Sequence, residues 1–226
     1  MKTLFIPARL KKAVRLDIAS LKKLQSQLIP SSKIGLCSSI QFVDSLDTIK
    51  KQLNDYDVVL MQGVHSRNKG QVLGCDMPHI KEGDREVILY VGDGMFHPMG
   101  IRIKTEISIF TYNPFSKTLN TLDVDEVKKV IKRKKGALVK FLMSDAIGVL
   151  VSTKPGQNRY SRVSALKKKY KDKQFYVVAF DSVDFSSLEN FPFIKVWVNT
   201  TCPRIAYEDA SRVTRPIINI SDLKNG

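Results

Sequence analysis

The chain has 226 residues, of which 43% are hydrophobic, and it carries a formal net charge of +15. This length suits one large domain or two small ones with a sizeable core. The sequence excludes a membrane span, which needs roughly 20 consecutive apolar residues, and it predicts no signal peptide. Three cysteines far apart do not make a disulfide framework, so the composition predicts a cytoplasmic protein.

The first half of the chain alternates between segments with strand and helix patterns. Strands are predicted at 3–8, 32–42, 57–63, 86–94 and 105–114, and helices at 10–28 and 43–56. A glycine-punctuated loop is predicted at 63–80.

The second half opens with a long predicted helix at 123–143. Asp123 is its expected N-cap, and Glu126 stands three positions later, as in a capping box. Further strands are predicted at 146–157, 174–180, 193–202 and 215–220, with helices at 158–172 and 186–191.

Strands that alternate with helices predict βαβ units and parallel sheets. The strands are apolar without strict alternation, which is typical of strands covered on both faces. The predicted fold class is therefore α/β, with two successive parallel-sheet domains at 1–121 and 122–226. The helix at 123–143 bridges them and is assigned to the second domain.

Lysine accounts for much of the positive charge, notably in "KKVIKRKK" at 128–135 and "LKKKYKDK" at 166–173. Two interpretations are open: solvated helix faces, or contact with an anionic partner such as RNA. The chain has no RRM, KH or zinc-finger motif. RNA contact is therefore kept as a secondary prediction.

The residues that carry chemistry follow the predicted strands, where open α/β sheets bind their ligands. Cys37, Cys75 and Cys202 each lie at or after a strand end, as do the glycine turns "GDGMFHP" and "TKPGQ". No cysteine pair has zinc-ribbon spacing. Two alternatives remain for the cysteines: a three-cysteine cluster with one open iron, or small buried hydrophobic residues. Two alternatives also remain for His97: it acts as a general acid, a general base or a ligand, or it has a structural role.

Several motifs together resemble the diphthamide synthase family, which are non-canonical radical S-adenosylmethionine (SAM) enzymes of archaea and eukaryotes. In chain order they are "IGLCSSIQFVDSL", "GQVLGCD", "VGDGMFHPMG", "YNPFS", "TKPGQ", "LENFPF" and "NTTCPRIAYEDASRVTRPII". The likeness covers nearly the whole chain. The resemblance implies that the chain corresponds to the second and third domains of a family whose three domains form a triangle. The chain would then be a short form that lacks the family's first domain and that domain's cysteine motif.

The resemblance implies an enzyme with a 4Fe–4S cluster, in which SAM binds the open iron. Its reaction cleaves SAM and transfers a 3-amino-3-carboxypropyl group to a histidine of translation elongation factor 2, the first step of diphthamide synthesis. The implied partners are this acceptor protein, an electron donor and a second copy of the chain in a dimer.

The resemblance also implies roles for individual residues. Cys75 and Cys202 match cluster ligands, and Asp93, His97 and Gln157 match loops that contact SAM or substrate.

The third cluster ligand is left open by the family pattern. Cys37 is the candidate because it ends a strand of the predicted sheet that also holds Cys75. The alternatives are that Cys37 is a buried non-ligand, or that a partner chain with the missing domain supplies the third cysteine. The alternative function is accordingly a split or non-catalytic subunit that presents the acceptor.

Overall fold

The structure is a computed structural model that describes residues 4, 6–63, 65–74, 76–78, 80 and 83–224, without the side chain of residue 224. The chain divides into two compact units, Met1–Val127 and Lys128–Gly226. The division lies one turn into a long helix, a few residues after the predicted boundary between 121 and 122.

The first unit is built on a five-stranded sheet with the order β2-β1-β3-β4-β5. Strands β1 to β4 run parallel, and β5 pairs antiparallel with β4. Because β2 and β3 flank β1 on opposite sides, the strand order reverses between β1 and β3. Its elements are α1 Ile18–Gln25, β1 Lys33–Ser38, α2 Leu46–Gln52, β2 Asp57–Leu60, β3 Val87–Val91, α3 Phe96–Arg102, β4 Ser108–Asn113 and β5 Thr118–Thr121.

The two central strands of this sheet are buried on both faces. Ile34 and Leu36 of β1 and Leu89 of β3 belong to the main core on one face. Side chains alternate along a strand, so Cys37 points to the opposite face. Both faces are thus apolar, which explains why the strand sequences show no polar alternation.

Two predictions for the N-terminal segment are wrong. Residues 4 and 6–8 form no strand, and the helix predicted at 10–28 begins only at Ile18. In the preceding segment, the backbone N–H and C=O of Leu16 each make a 2.9 Å hydrogen bond to the Gln52 side chain. The backbone of Leu16 is therefore satisfied by a side chain of helix α2 and not by a helical ladder.

The second unit contains a four-stranded, fully parallel sheet with the order β7-β6-β8-β9. Its strand order reverses between β6 and β8, as the first sheet reverses between β1 and β3. The elements are α4 Val124–Leu142, whose first turn belongs to the first unit, β6 Ala146–Ser152, α5 Tyr160–Lys169, β7 Gln174–Phe180, β8 Val196–Asn199, α6 Arg204–Tyr207 and β9 Ile217–Asn219.

Each face of the second sheet has its own core. One core joins α4 and α5 to the sheet through side chains that include Ala137, Phe141, Val163 and Leu166. The other core centres on Trp197 and includes residues of α6. The sheet is therefore covered on both sides, as parallel sheets require.

The predicted fold class, α/β with two successive parallel-dominated sheets, is confirmed. The sequence analysis missed α3, α6 and the antiparallel strand β5. Among the described residues, no helix is both long enough and apolar enough to cross a membrane.

Candidate functional site

Cys37 lies near the end of β1, at the reversal point of the first sheet. It stands opposite Tyr90 of β3 in the parallel ladder, and its exposed fraction is 0%. Burial raises the pKa of the Cys37 thiol to about 12. At neutral pH Cys37 is therefore a protonated core side chain, since desolvation disfavours the thiolate.

Tyr90 and His97 form a couple at the same edge of the sheet. The Tyr90 hydroxyl lies 3.1 Å from Nδ1 of His97, and the two rings stack with centroids 5.7 Å apart. Burial raises the pKa of Tyr90, and the nearby Cys37 and Asp93 raise it further. A buried phenol requires a hydrogen-bond partner, and His97 provides one. The contact also fixes the orientation of the His97 ring.

The turn after β3 passes directly over this couple. A Cβ atom on Gly92 would lie 2.6 Å from the Tyr90 hydroxyl, so a side chain at this position would collide with the phenol. The next residue, Asp93, is exposed, and His97 is half-buried. The glycine thus lets the chain bring the Asp93 carboxylate and the His97 ring to one edge of the first sheet.

Cys75, the predicted ligand of the first unit, lies outside the described residues. The residues that flank it in the sequence are well connected. Leu73 and Asp76 exchange backbone hydrogen bonds of 3.0 and 3.4 Å. A Cβ atom on Gly74 would overlap the ring of Phe96, so the residue before Cys75 packs against the start of α3.

Cys202 follows β8 and is only partly buried. Two buried amides hold the turn that carries it: Asn199 makes most of the contacts, and Asn219 Nδ2 donates to the Pro203 carbonyl at 3.2 Å. Asn199 Nδ2 donates to the Cys202 carbonyl at 2.8 Å and to Asn219 Oδ1 at 2.7 Å. Asn199 Oδ1 accepts from the Thr201 backbone N–H at 3.1 Å and from its hydroxyl at 2.8 Å. These hydrogen bonds hold the turn in place, while Cys202 stays partly exposed to solvent.

Arg204 places a positive charge beside Cys202. Its guanidinium is hydrogen-bonded to Glu208, one turn along α6. The hydrogen bond and the charge of Glu208 raise the pKa of Arg204 most, and Cys202 adds a smaller contribution. The side chain of Arg204 remains 59% exposed, so this charge also faces solvent at the edge of the sheet.

Gln157 lies in the exposed turn that follows β6. The Gln157 N–H donates to the Lys154 carbonyl at 3.1 Å. Gly156 has φ of +77°, in the left-handed region that glycine adopts without strain. Because β6 and β8 are adjacent and parallel, Gln157 and Cys202 lie at the same edge of the second sheet, at its reversal point.

The predicted site residues fall into two groups, one in each unit. Cys37, Asp93 and His97 lie near the carboxyl ends of the strands of the first sheet, and Gln157 and Cys202 lie at the carboxyl ends of the strands of the second. Within the described residues, no three or more His, Cys, Asp or Glu side chains form a group that could hold a metal ion.

The sequence analysis missed three residues that support these groups: Tyr90, Asn199 and Asn219. Tyr90 lies within the apolar strand β3, so its sequence context gives no sign of a role at the site. Asn199 is the one signal that was available, because an asparagine at the end of a buried strand needs buried hydrogen-bond partners.

Comparisons with known proteins identify relatives of this chain. A family model described as "Putative diphthamide synthesis protein" matches residues 1–225. The 2-(3-amino-3-carboxypropyl)histidine synthase of Methanocaldococcus jannaschii is 30% identical over 99% of this chain and 62% of the relative. The synthase of the same name from Pyrococcus horikoshii is 28% identical over 98% of this chain and 64% of the relative. Subunit 1 of the Schizosaccharomyces pombe synthase is 26% identical over 96% of this chain and 51% of the relative.

A solved structure shares the fold. The crystal structure of Dph2 from Pyrococcus horikoshii with a 4Fe–4S cluster superposes with a TM-score of 0.78 and 24% identity, over 94% of this chain and 62% of that one. The chain therefore spans less than two thirds of the length of these archaeal relatives. Because the family model matches almost every residue, the chain belongs to the diphthamide synthesis family.

Proposed function

We propose that this chain acts in the first step of diphthamide synthesis, transferring a 3-amino-3-carboxypropyl group from SAM to a histidine of elongation factor 2 in the cytoplasm. Family membership and the names of the relatives support the proposal. The observation that carries it is the partly buried Cys202, which the Asn199 amide holds at the reversal point of a parallel sheet. Ligands bind at such points in open α/β folds.

The proposed cofactor is a 4Fe–4S cluster, which when bound supplies the electron that cleaves SAM. Cys202 fits a cluster ligand because it is partly exposed at the end of a parallel strand. Cys75 is proposed as the second ligand from the family resemblance. Cys37 stays the predicted third ligand. Its thiol has no exposed surface, so ligation would require the ends of β1 and β3 to separate.

Three polar side chains are proposed to bind SAM. The exposed Asp93 carboxylate would pair with the amine of the SAM methionine moiety, and His97 and Gln157 would hydrogen-bond its carboxylate or ribose hydroxyls. Tyr90 would act on His97 as a positioning residue, since it holds Nδ1 at 3.1 Å.

Equilibrium dialysis of SAM should show weaker binding to Asp93→Asn and Gln157→Ala, with the exposed Gln27→Ala as the matched control. Unchanged binding would remove these residues from the site.

The activity is tested by anaerobic reconstitution with iron and sulfide, followed by SAM and dithionite. Wild type should take up iron and release 5′-methylthioadenosine, and Cys202→Ala should lose most of both. Ser211→Ala, an exposed substitution in the same unit, is the control and should match wild type. A wild-type chain that binds iron–sulfur without forming methylthioadenosine would contradict the proposed reaction.

A second candidate function is that of one subunit of a split enzyme, in which a partner chain supplies the third ligand. Two observations favour it: Cys37 is sealed in the core, and several relatives are named subunit 1. It predicts that the chain alone binds iron poorly and that Cys37→Ala changes nothing. Full cluster formation and SAM cleavage by a homodimer of this chain would contradict it.

A further inference from the structure

The positive charge of the chain is concentrated in one unit. Residues 128–226 hold 20 Lys and Arg against 8 Asp and Glu, a net charge of +12. Residues 1–127 hold 17 against 14, a net charge of +3. Within the second unit, residues 128–173 alone contain 15 cationic side chains and 2 acidic ones. Charge that served only general solubility would not need this segregation.

The cationic segment folds onto a single face of the second sheet. Phe141 of α4 and Leu166 of α5 bury their side chains in the same core. Phe141 also packs against Tyr170, just after α5, with ring centroids 4.9 Å apart. The outward sides of the two helices therefore form one surface, here named the basic face. Its exposed cations include Lys129, Lys132, Arg133, Lys135, Lys167 and Lys168.

The opposite face of the same sheet has a balanced charge. Its segments pair their charges locally, as between Arg204 and Glu208 in α6. Arg215 similarly lies 3.7 Å from Glu189. The net charge of the second unit is thus one-sided, which distinguishes the basic face from an evenly solvated surface.

Some cations of the segment contact the protein itself. Lys134 forms a 2.8 Å ion pair with Asp222, which is 8% exposed. Lys173 Nζ donates to the carbonyls of Leu142 and Ser144 at 2.9 Å each. Elsewhere on α4, like charges stand one turn apart, as at the exposed Lys129 and Arg133, and such pairs destabilise an isolated helix. A polyanionic partner would remove this repulsion.

We propose that the basic face binds the phosphate backbone of double-stranded RNA without reading its sequence. A duplex presents closely spaced phosphates, and lysine side chains bind phosphates as point charges. A surface two helices wide suits the wide, shallow minor groove of A-form RNA. A membrane is a poorer match because Ala137 and Phe141 of α4 are buried in the core and cannot insert, which leaves a surface dominated by lysine. This binding does not depend on the cluster or on SAM cleavage.

The test measures binding of the full chain to a labelled RNA duplex of about 16 base pairs by fluorescence anisotropy over a range of KCl concentrations. The variant Lys132→Gln/Lys135→Gln/Lys167→Gln/Lys168→Gln neutralises the basic face. The matched control, Lys22→Gln/Lys50→Gln/Lys51→Gln/Lys104→Gln, removes the same charge from exposed positions of the first unit.

The basic-face variant should bind at least about tenfold more weakly, and the log–log slope of its salt dependence should fall by about one for each phosphate that is no longer neutralised. The control should stay within about twofold of wild type. Equal weakening in both variants would overturn the proposal, because the charge would then act globally. Tighter binding to a DNA duplex, to polyglutamate or to anionic lipid vesicles would overturn it as well. Methylthioadenosine formation by the reconstituted basic-face variant should equal that of wild type, so the test is separate from that of the proposed function.

Discussion

The two sheets share one strand order but place their cysteines in opposite environments. In each sheet the first strand lies between the second and the third, and the order reverses beside it. Cys37 lies inside the first strand of its sheet and is fully buried, whereas Cys202 lies beyond the third strand of its sheet and is partly exposed. The comparison teaches that position relative to the strand end, and not residue type, decides whether a thiol reaches a ligand.

Different sets of hydrogen bonds also hold the chain around the two cysteines. Around Cys37 the backbone ladder between β1 and β3 supplies the hydrogen bonds. Around Cys202 the strand has ended, and the Asn199 side chain takes over that role with bonds to Cys202, Thr201 and Asn219. The partly exposed Cys202 therefore depends on buried side-chain amides, chiefly that of Asn199, and the buried Cys37 depends on secondary structure.

Asn199→Ala should have the largest effect, because it removes four hydrogen bonds at the end of β8 that carries Cys202. It leaves buried polar groups of Thr201 and Asn219 without partners, at about 1–3 kcal/mol per group. We expect the free energy of unfolding to fall by about 3 kcal/mol in urea titrations. The exposed Asn190→Ala is the matched control and should change it by less than about 0.5 kcal/mol. Similar small effects for both would show that the backbone alone holds this edge.

The two thiols should differ strongly in reactivity. In a Cys75→Ser background without iron, iodoacetamide should modify Cys202 at least about 100-fold faster than Cys37, because Cys37 reacts only after local opening. Peptide mass spectrometry after timed quenching measures both rates in one sample. Unfolding the chain in urea should abolish the difference. Comparable rates in the native chain would mean that the β1–β3 edge opens readily and would favour Cys37 as a ligand.

The sequence was sufficient for the fold because parallel strands and amphipathic helices leave periodic patterns over many residues. It predicted the long helix α4 and most strands of both sheets. It failed at residues 10–17, where helical spacing is present but Gln52 binds the backbone of Leu16. That interaction joins distant residues, so no local pattern reports it.

The candidate site was predictable only in part. The strand-end positions of Asp93, His97 and Gln157 followed from the strand pattern. The burial of Cys37 was only one of the alternatives, because the strand pattern predicts cover on both faces of β1 but does not show whether Cys37 lies within the strand or just beyond its covered part. The Tyr90–His97 hydrogen bond was also beyond the sequence, since it depends on how α3 packs over the end of β3.

A matched pair of glycines tests how tightly each sheet is packed. Gly35 and Gly148 are the third residues of β1 and β6, opposite Ile88 and Trp197. A Cβ atom on Gly148 would overlap the Trp197 ring, whereas one on Gly35 would meet the flexible end of a methionine side chain. We expect Gly148→Ala to cost about 2–3 kcal/mol and Gly35→Ala about 1 kcal/mol in urea unfolding. Equal costs would show that the two sheets tolerate added volume alike.

The smallest expected effect is the contribution of Cys37 to the decline of the free energy of unfolding at alkaline pH. Folding raises the pKa of Cys37 from 9.0 to about 12, so above pH 9 the unfolded chain releases a proton that the folded chain keeps. Proton release then favours unfolding, and this thiol should lower the free energy of unfolding by up to about 1 kcal/mol per pH unit above pH ~9. Cys37→Ala should show a shallower decline between pH ~8 and ~10, while the core control Ile34→Val should keep the wild-type slope. An unchanged slope in Cys37→Ala would mean that the thiol ionises in the folded chain, which is the state a cluster ligand requires.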